Sequence, residues 1–490
     1  MTVPRVPGGR LNALRDMRRD PLSFFTSVRR ECGPIARLPM PGPRHYLVSD
    51  PAEIARALTA TGRDYAKGQS RSKDADRPGF QPLQRILGQG LLTSAGPLWR
   101  RQRRLIQPMF HQARIAEYCD VFAGLAARTG AGWRDGEERD VHTDLTELTL
   151  AIVARTVFDI DLDAAIVAQI RQWLGENMAT ARRGADLPWM RFLDLVPLPS
   201  TRRWNADRRA LDRMVHDLIA DRRTGGGSGT DLLSLLLATR DADTGEAMPD
   251  GLVRDEAVTL LLAGHETTAN ALAWSLYLLG THPAAQARLR AELDEVLGSG
   301  APESGAAGSH APENGAAGSH APGNGAASNG AAGSGAPAGR APSATDLARL
   351  PYTMAVVRES MRLYPPAWIV ARRLLAPGQV CGHRIPAGAM LVFSSWVVHR
   401  DPQWWPEPDS FQPERWLAGP SDRPRYAYFP FGGGPRQCIG NGFAEAEAVM
   451  VLATLCRRWS FSPVSEQPIA PRPLITLRPR GGVPMVVRSV

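Results

Sequence analysis

The chain has 490 residues, 43% hydrophobic and 22% charged, with a formal net charge of +9. These values supply material for a large core and exclude a disordered or fibrous chain, and by length alone ~three domains are allowed. Of the 58 basic residues only Lys67 and Lys73 are lysine. The arginines are interleaved with acids, a pattern of codon bias in a GC-rich genome rather than of a nucleic-acid-binding tail.

The five cysteines, Cys32, Cys119, Cys381, Cys438 and Cys456, are scattered and odd in number. That excludes a disulfide framework and a zinc-ligand spacing, and implies a reducing compartment. The N-terminal stretch MTVPRVPGGRLNALRDMRRDPLSFF has no apolar core for a signal peptide or anchor, and no other segment spans a bilayer. The expectation is a soluble, cytoplasmic protein without a membrane anchor.

In chain order, PIARLPMPGPRHYLVSD (34–50) predicts two short strands about a Pro-Gly turn, and PAEIARALTA a helix with Pro51 in its first turn. From Pro97 to about Glu295 the apolar spacing is mostly helical. Its longest helix is RDEAVTLLLAGHETTANALAWSLYLLGTH, punctuated by Pro283. Between 301 and 330 the segments APESGAAGSH, APENGAAGSH and APGNGAASNG repeat, and 298–344 share their composition. Gly, Ala, Ser, Asn and Pro bury too little apolar area to offset ordering entropy, so 298–344 is expected to be a flexible insert inside one domain of 1–490. Helical spacing returns at DLARLPYTMAVVRESMRLYPP, strand-like segments follow at 380–397, a helix at 443–457, and short strands at LITLRP and VPMVVRSV. The expected fold class is mainly α with small peripheral β-sheets.

FPFGGGPRQCIGNG, Phe429 to Gly442, places Cys438 among five glycines. Such a loop forms poor helix and poor strand, and it lets backbone approach something large and flat. A thiolate is a strong iron ligand, and the dipole of the following helix would favour the thiolate form. A buried structural cysteine is the plain alternative, but it leaves the glycines, Phe431 and Arg436 without a reason. A dinucleotide fold is excluded, because no GxGxxG follows a strand.

FGGGPRQCIG resembles the haem loop of the cytochrome P450s, FxxGxRxCxG, through Phe431, Gly434, Arg436, Cys438 and Gly440. AGHETT (263–268) resembles that family's central-helix motif. Glu359 and Arg362 of ESMR fit ExxR, Arg415 of FQPERW completes a charge triad, and Trp99 and Arg103 of WRRQR resemble the helix that holds a haem propionate. The resemblance covers nearly the whole chain outside the insert. It implies the cytochrome P450 fold and a haem-thiolate monooxygenase using haem b (iron protoporphyrin IX) and dioxygen.

By that resemblance Cys438 ligates the iron, while Trp99, Arg103, Arg372 and Arg436 serve the propionates. Arg373 competes for the place given to Arg372. Thr267 hydrogen-bonds dioxygen and Glu266 relays protons, with small and hydroxyl residues loosening the helix around them. The triad Glu359, Arg362 and Arg415 is structural. A substrate pocket is implied at Leu261, Ala263, Gly264, Ala367, Trp368, Ile369, Val370 and Ile475, together with the 66–95 loop and helices around 165–225. Its apolar character fits a hydrophobic small molecule: a terpenoid, fatty acyl or polyketide-like compound of secondary metabolism. No reductase segment follows Val490, so electrons are expected from a ferredoxin or flavodoxin with its NAD(P)H reductase, docking near Arg100, Arg101 and Arg104. A peroxide-dependent haem enzyme and a non-catalytic haem-thiolate sensor remain the alternatives at this point.

Overall fold

The apolar run on both sides of AGHETT forms one helix, Asp250–Thr281, of 32 residues and about 48 Å. It is apolar on every face and therefore buried along most of its length. Helices Val141–Phe158 and Asn441–Arg458 pack against it, and Gln112–Ala131 packs on those two, all in the largest hydrophobic cluster. Phe443 is the keystone between two of them, its ring edge-on to Phe122 with centroids 4.9 Å apart. The expected loosening at Gly264–Thr268 is absent: the helix runs through these residues unbroken. Thr267 and Thr268 instead return their hydroxyls to the carbonyls of Ala263 (2.7 Å) and Gly264 (3.0 Å), so the helix ladder is kept and any open space comes from small side chains.

The computed structural model describes residues 2–7, 9–67, 84–161, 199–225, 229, 231–241, 245–298, 340–419 and 422–490. Among these the fold is mainly α, as expected, with small sheets at its margins. The expected strands at 34–50 pair antiparallel as Ile35–Leu38 and His45–Val48. They open a five-stranded sheet continued by Met390–Phe393, Val370–Leu374 and Tyr65–Lys67. The last pairing sets Lys67 opposite Arg372, a like-charge register that costs stability unless something anionic lies between. The strand-like stretch ends earlier than expected, because Ser395–Val398 is helical. Phe393 already pairs with Val370, and the hydroxyls of Ser394 and Ser395 are taken by the carbonyls of Trp368 and Ala367. The ladder has no further partner to extend along.

Residues 299–339 of the repeat lie outside the described residues, as do 68–83 of the expected pocket loop and 162–198 of the expected pocket helices. Of the 298–344 range, Gly298, which caps the helix Pro283–Leu297, and residues 340–344 belong to the fold. Arg340 donates its N–H to the Leu297 carbonyl at 3.3 Å, which brings the two ends of the insert together. Its guanidinium grips Asp346 at 2.5 and 2.6 Å, holding that carboxyl down at about 2, and Asp346 closes a capping box on Ser343. Deleting Ser299 to Gly339 with a two-residue Gly-Ser join, Arg340 retained, is therefore expected to leave haem content and thermal midpoint within experimental error of the full chain, since loop closure depends only weakly on length. A deletion protein that no longer takes up haem would show that the repeat packs on the fold.

Candidate active site

Cys438 sits two residues before Gly440, the N-cap of the helix Asn441–Arg458. The loop is fixed from several sides. Cys438 donates its N–H to the Phe431 carbonyl at 2.9 Å, and Arg103 caps the Gln437 carbonyl at 2.6 Å. Gly434 has φ +65°, and a Cβ there would fall 2.1 Å from the Leu58 carbonyl oxygen. A Cβ at Gly433 would meet the Tyr426 ring at 2.4 Å. These two glycines are thus demanded by the chain's own packing, a reason distinct from a flat ligand's approach.

The Cys438 side chain is exposed, yet protein surrounds it closely enough for burial to push its thiol up, against the Gly440 N–H and Arg103, which both favour the thiolate. It therefore lines an internal hollow. On the central helix Ala263 is likewise exposed in the midst of buried neighbours, while Gly264 and Thr267 are half-buried. Gly264 lets that helix press against its neighbour: a Cβ would stand 3.0 Å from Val153.

Four cations converge on the rim of this hollow. Arg436 lies over the Trp99 ring at 4.2 Å and keeps a buried Nη1 without any partner. Burial, then repulsion from Arg372 and Arg103, brings it down to about 9. Arg372 is buried, donates to Thr61 Oγ1 at 2.8 Å, and is lowered by burial to about 10. Lys67, held on the Leu92 carbonyl, falls well below its ordinary value through burial and then the charges of Arg436 and Arg372. Among the described residues none of these four, Arg103 included, forms an ion pair with a carboxylate. Crowded, buried and unpaired cations are costly on their own. They fit a ligand that carries carboxylates of its own, and strand alternation puts Arg372, not Arg373, among them.

Beneath the hollow the triad residues meet. Glu359 and Arg362 are fully buried and bonded twice, at 2.8 and 2.9 Å, and Arg415 reaches the same carboxylate at 2.9 Å. Trp416 Nε1 and the Gln412 N–H also donate to Glu359, at 2.8 and 3.0 Å. Arg362 goes on to the carbonyls of His399, Pro408 and Ser410 at 2.6–2.9 Å. His399 Nε2 then accepts the Phe429 N–H at 2.9 Å, so the triad is wired directly to the start of the cysteine loop. His399 is held neutral by burial, then by Arg362 and Arg400. Sequence reasoning missed this link, and its only signal is a histidine between the ExxR helix and the loop.

The remaining expected site residues divide. Glu266 turns from Thr267 toward the C-terminal hairpin, where Arg478 Nε (2.7 Å) and Thr476 Oγ1 donate to it. Burial would raise its carboxyl, but Arg478, with Thr476 and His265 beside it, brings it below the ordinary value. Thr476 continues through Asn270 (3.4 Å) to His142 (3.0 Å). His265 is buried with Nδ1 2.8 Å from the Leu261 carbonyl. Glu447, unmarked by any expected motif, lies fully buried, where burial pushes it well above the carboxylate range against the pull of the Thr268 hydroxyl.

Of the expected pocket residues, Trp368 does not face the hollow. It packs with Phe25 at a centroid distance of 6.1 Å and donates to the Leu474 carbonyl at 3.0 Å. Leu261 is buried in the core. Ala367, Ile369, Val370 and Ile475 keep partly open surface. Arg101 and Arg104, expected to greet a redox partner, are paired within the chain instead: both reach Asp241 at 3.3 Å, and Arg101 also reaches Glu246 at 3.1 Å. Arg100 remains exposed.

The open thiol of the glycine-rich loop, the cationic rim and the triad thus meet at one site. The family model described as Cytochrome P450 matches residues 9–306 and 336–484, and the chain belongs to that family. It is 35% identical over 463 residues to Cyclooctatin synthase of Streptomyces melanosporofaciens, covering 94% of this chain and 90% of that one. It is 32% identical over 447 residues to Cyclooctat-9-en-7-ol 5-monooxygenase of the same organism, covering 91% and 86%. To Pentalenene oxygenase of Streptomyces avermitilis it is 30% identical over 465 residues, covering 94% and 91%. The chain is a cytochrome P450 monooxygenase, an oxidoreductase whose cofactor is haem and which acts with dioxygen, a hydrophobic substrate and a redox partner. No helix among the described residues is long and apolar enough to cross a membrane.

Proposed function

We propose that this enzyme oxygenates a terpenoid of secondary metabolism in the cytoplasm, with electrons from a ferredoxin and its NAD(P)H reductase. The relatives named for cyclooctatin, cyclooctat-9-en-7-ol and pentalenene support the substrate class. So does the apolar surface offered by Ala263, Ile369, Val370 and Ile475. The observation that carries the site is the unpaired cation cluster facing an open cysteine. Cys438 would hold the iron, and Lys67, Arg103, Arg372 and Arg436, with Trp99 stacked beside them, would hold the propionates. Haem bound through a thiolate supplies the activation of dioxygen. Thr267 provides a hydroxyl beside the hollow, now parked on the Ala263 carbonyl, to donate toward dioxygen. Glu266, ionised against Arg478, accepts protons and passes them inward from the hairpin side.

Turnover of candidate cyclic terpenes with NADPH, ferredoxin and reductase, read by product mass, tests the reading. A product one oxygen heavier is expected. Spin-state titrations that respond to fatty acids or macrolides and to no terpenoid would overturn the substrate class.

Thr267→Ala is expected to keep haem and substrate binding while product per NADPH falls at least ~10-fold and hydrogen peroxide rises in its place, as loss of a positioned proton donor implies. Wild-type coupling in this variant would remove Thr267 from the relay.

A further inference from the structure

The first turns of the central helix carry Arg254, Asp255 and Glu256, and all three side chains grasp one segment, 86–91, the end of the short helix Gln84–Leu87 and the loop that follows it. Arg254 Nη1 donates to the Ile86 carbonyl at 3.2 Å, Asp255 Oδ2 accepts the Gln89 N–H at 2.7 Å, and Glu256 Oε2 accepts the Leu91 N–H at 2.9 Å. The rest of the Arg254 guanidinium turns the other way. Its Nε donates to Asp212 Oδ1 at 2.8 Å, its Nη2 reaches the same oxygen, and Nη1 also bonds Asp255 at 2.7 Å. Asp212 belongs to the helix Pro199–Arg223. A single, mostly buried arginine therefore joins the 86–91 loop, a second helix and the central helix.

The loop borders the hollow. Gly90 lies on the central helix one turn before Ala263, so close that a Cβ would stand 2.1 Å from Thr259 Oγ1 and 2.7 Å from the Asp255 carbonyl oxygen. Two residues on, Leu92 is 42% exposed and gives its carbonyl to Lys67 of the cationic rim. The loop is thus a wall strung between the helix that carries Thr267 and the rim that holds the cofactor.

We propose that Arg254, anchored by Asp212, is a positioning residue that fixes this wall of the substrate cavity and so sets how readily a ligand enters and leaves. The pairing is charge-assisted and directed to one carboxylate, the kind that gives geometric definition along with energy. The partners of Arg254 are Asp212, Asp255 and Ile86, none of them among the residues proposed to hold the cofactor or relay protons. The proposal rests on membership of the P450 family and not on the terpenoid reading.

The test uses the haem-loaded full chain and 4-phenylimidazole, which ligates haem iron whatever the natural substrate, so its result is separate from that reading. Release of the probe is followed by stopped-flow absorbance in wild type, Arg254→Gln, Asp212→Asn and the double variant. Each single change is expected to raise the release rate about tenfold, with the double variant no faster than Arg254→Gln, since both remove one connection. Hydrogen exchange of peptides covering 86–92 should quicken in parallel, while those covering 351–363 keep their protection. With the enzyme's substrate, KM should rise and kcat stay within about twofold. Unchanged release and exchange in both single variants would overturn the proposal. So would a loss of haem from Arg254→Gln with release from Asp212→Asn unaltered, because a merely structural arginine behaves that way.

Discussion

Replacing Cys438 by alanine is expected to give a folded protein whose reduced form with carbon monoxide lacks the red-shifted Soret band of thiolate-ligated haem. The loop does not depend on the thiol for its shape. Its backbone is held by the Cys438 N–H on Phe431, by Arg103 on Gln437, by His399 on Phe429, and by the close fit of Gly434 on Leu58. The sulfur itself is exposed to the hollow, so its removal leaves no filled core space and should change stability by no more than ~0.5 kcal/mol. Monooxygenase activity should fall to background. A variant that retains the red-shifted band would mean that another residue ligates the iron.

Glu359→Gln acts through the opposite property. The carboxylate is fully buried and receives Arg362 twice, Arg415, Trp416 and the Gln412 N–H. Neutralising it leaves two guanidinium groups in the interior without a counter-charge, a loss of ~3–5 kcal/mol against a total stability of ~5–15 kcal/mol. Because Arg362 also fixes the His399 carbonyl, and His399 holds Phe429, the damage should reach the cysteine loop. Urea unfolding is expected to show a lower midpoint, and the purified variant a substoichiometric haem content. If the midpoint and haem content match wild type, the cluster is not what supports the loop.

The linear motifs were legible because each is held together by local spacing. Glu359 and Arg362 share a helix face, and Cys438 stands within a dozen residues of all its loop partners. What the sequence hid is what the sheet register and the tertiary packing bring together. Lys67 is remote in sequence from Arg372 and Arg436, and the antiparallel pairing of its strand with that of Arg372 makes it part of the rim. A lysine, one of only two in a chain rich in arginine, was the available signal. Trp368 read as a pocket residue because it is apolar and follows the ExxR helix, but its indole needs an acceptor and finds one at the Leu474 carbonyl, with its ring packed by Phe25. Arg101 and Arg104 read as a free basic face because their partner, Asp241, lies more than a hundred residues away. Glu447 follows Cys438 by nine residues, yet nothing in a helix of alanines and valines announces that its carboxyl will be buried.

The bond from the Arg340 N–H to the Leu297 carbonyl means that the chain leaves and re-enters the fold at one point. Severing the backbone within the repeat would yield two polypeptides, one bearing the central helix with Thr267 and the other bearing the ExxR helix and Cys438. If the four cations hold the propionates as proposed, neither would carry a complete cofactor site, because Lys67 and Arg103 travel with the first piece and Arg372 and Arg436 with the second. Co-expressed, the halves should report their own reunion through the colour of the captured haem, which makes this enzyme a scaffold for a split reporter whose signal is the prosthetic group itself.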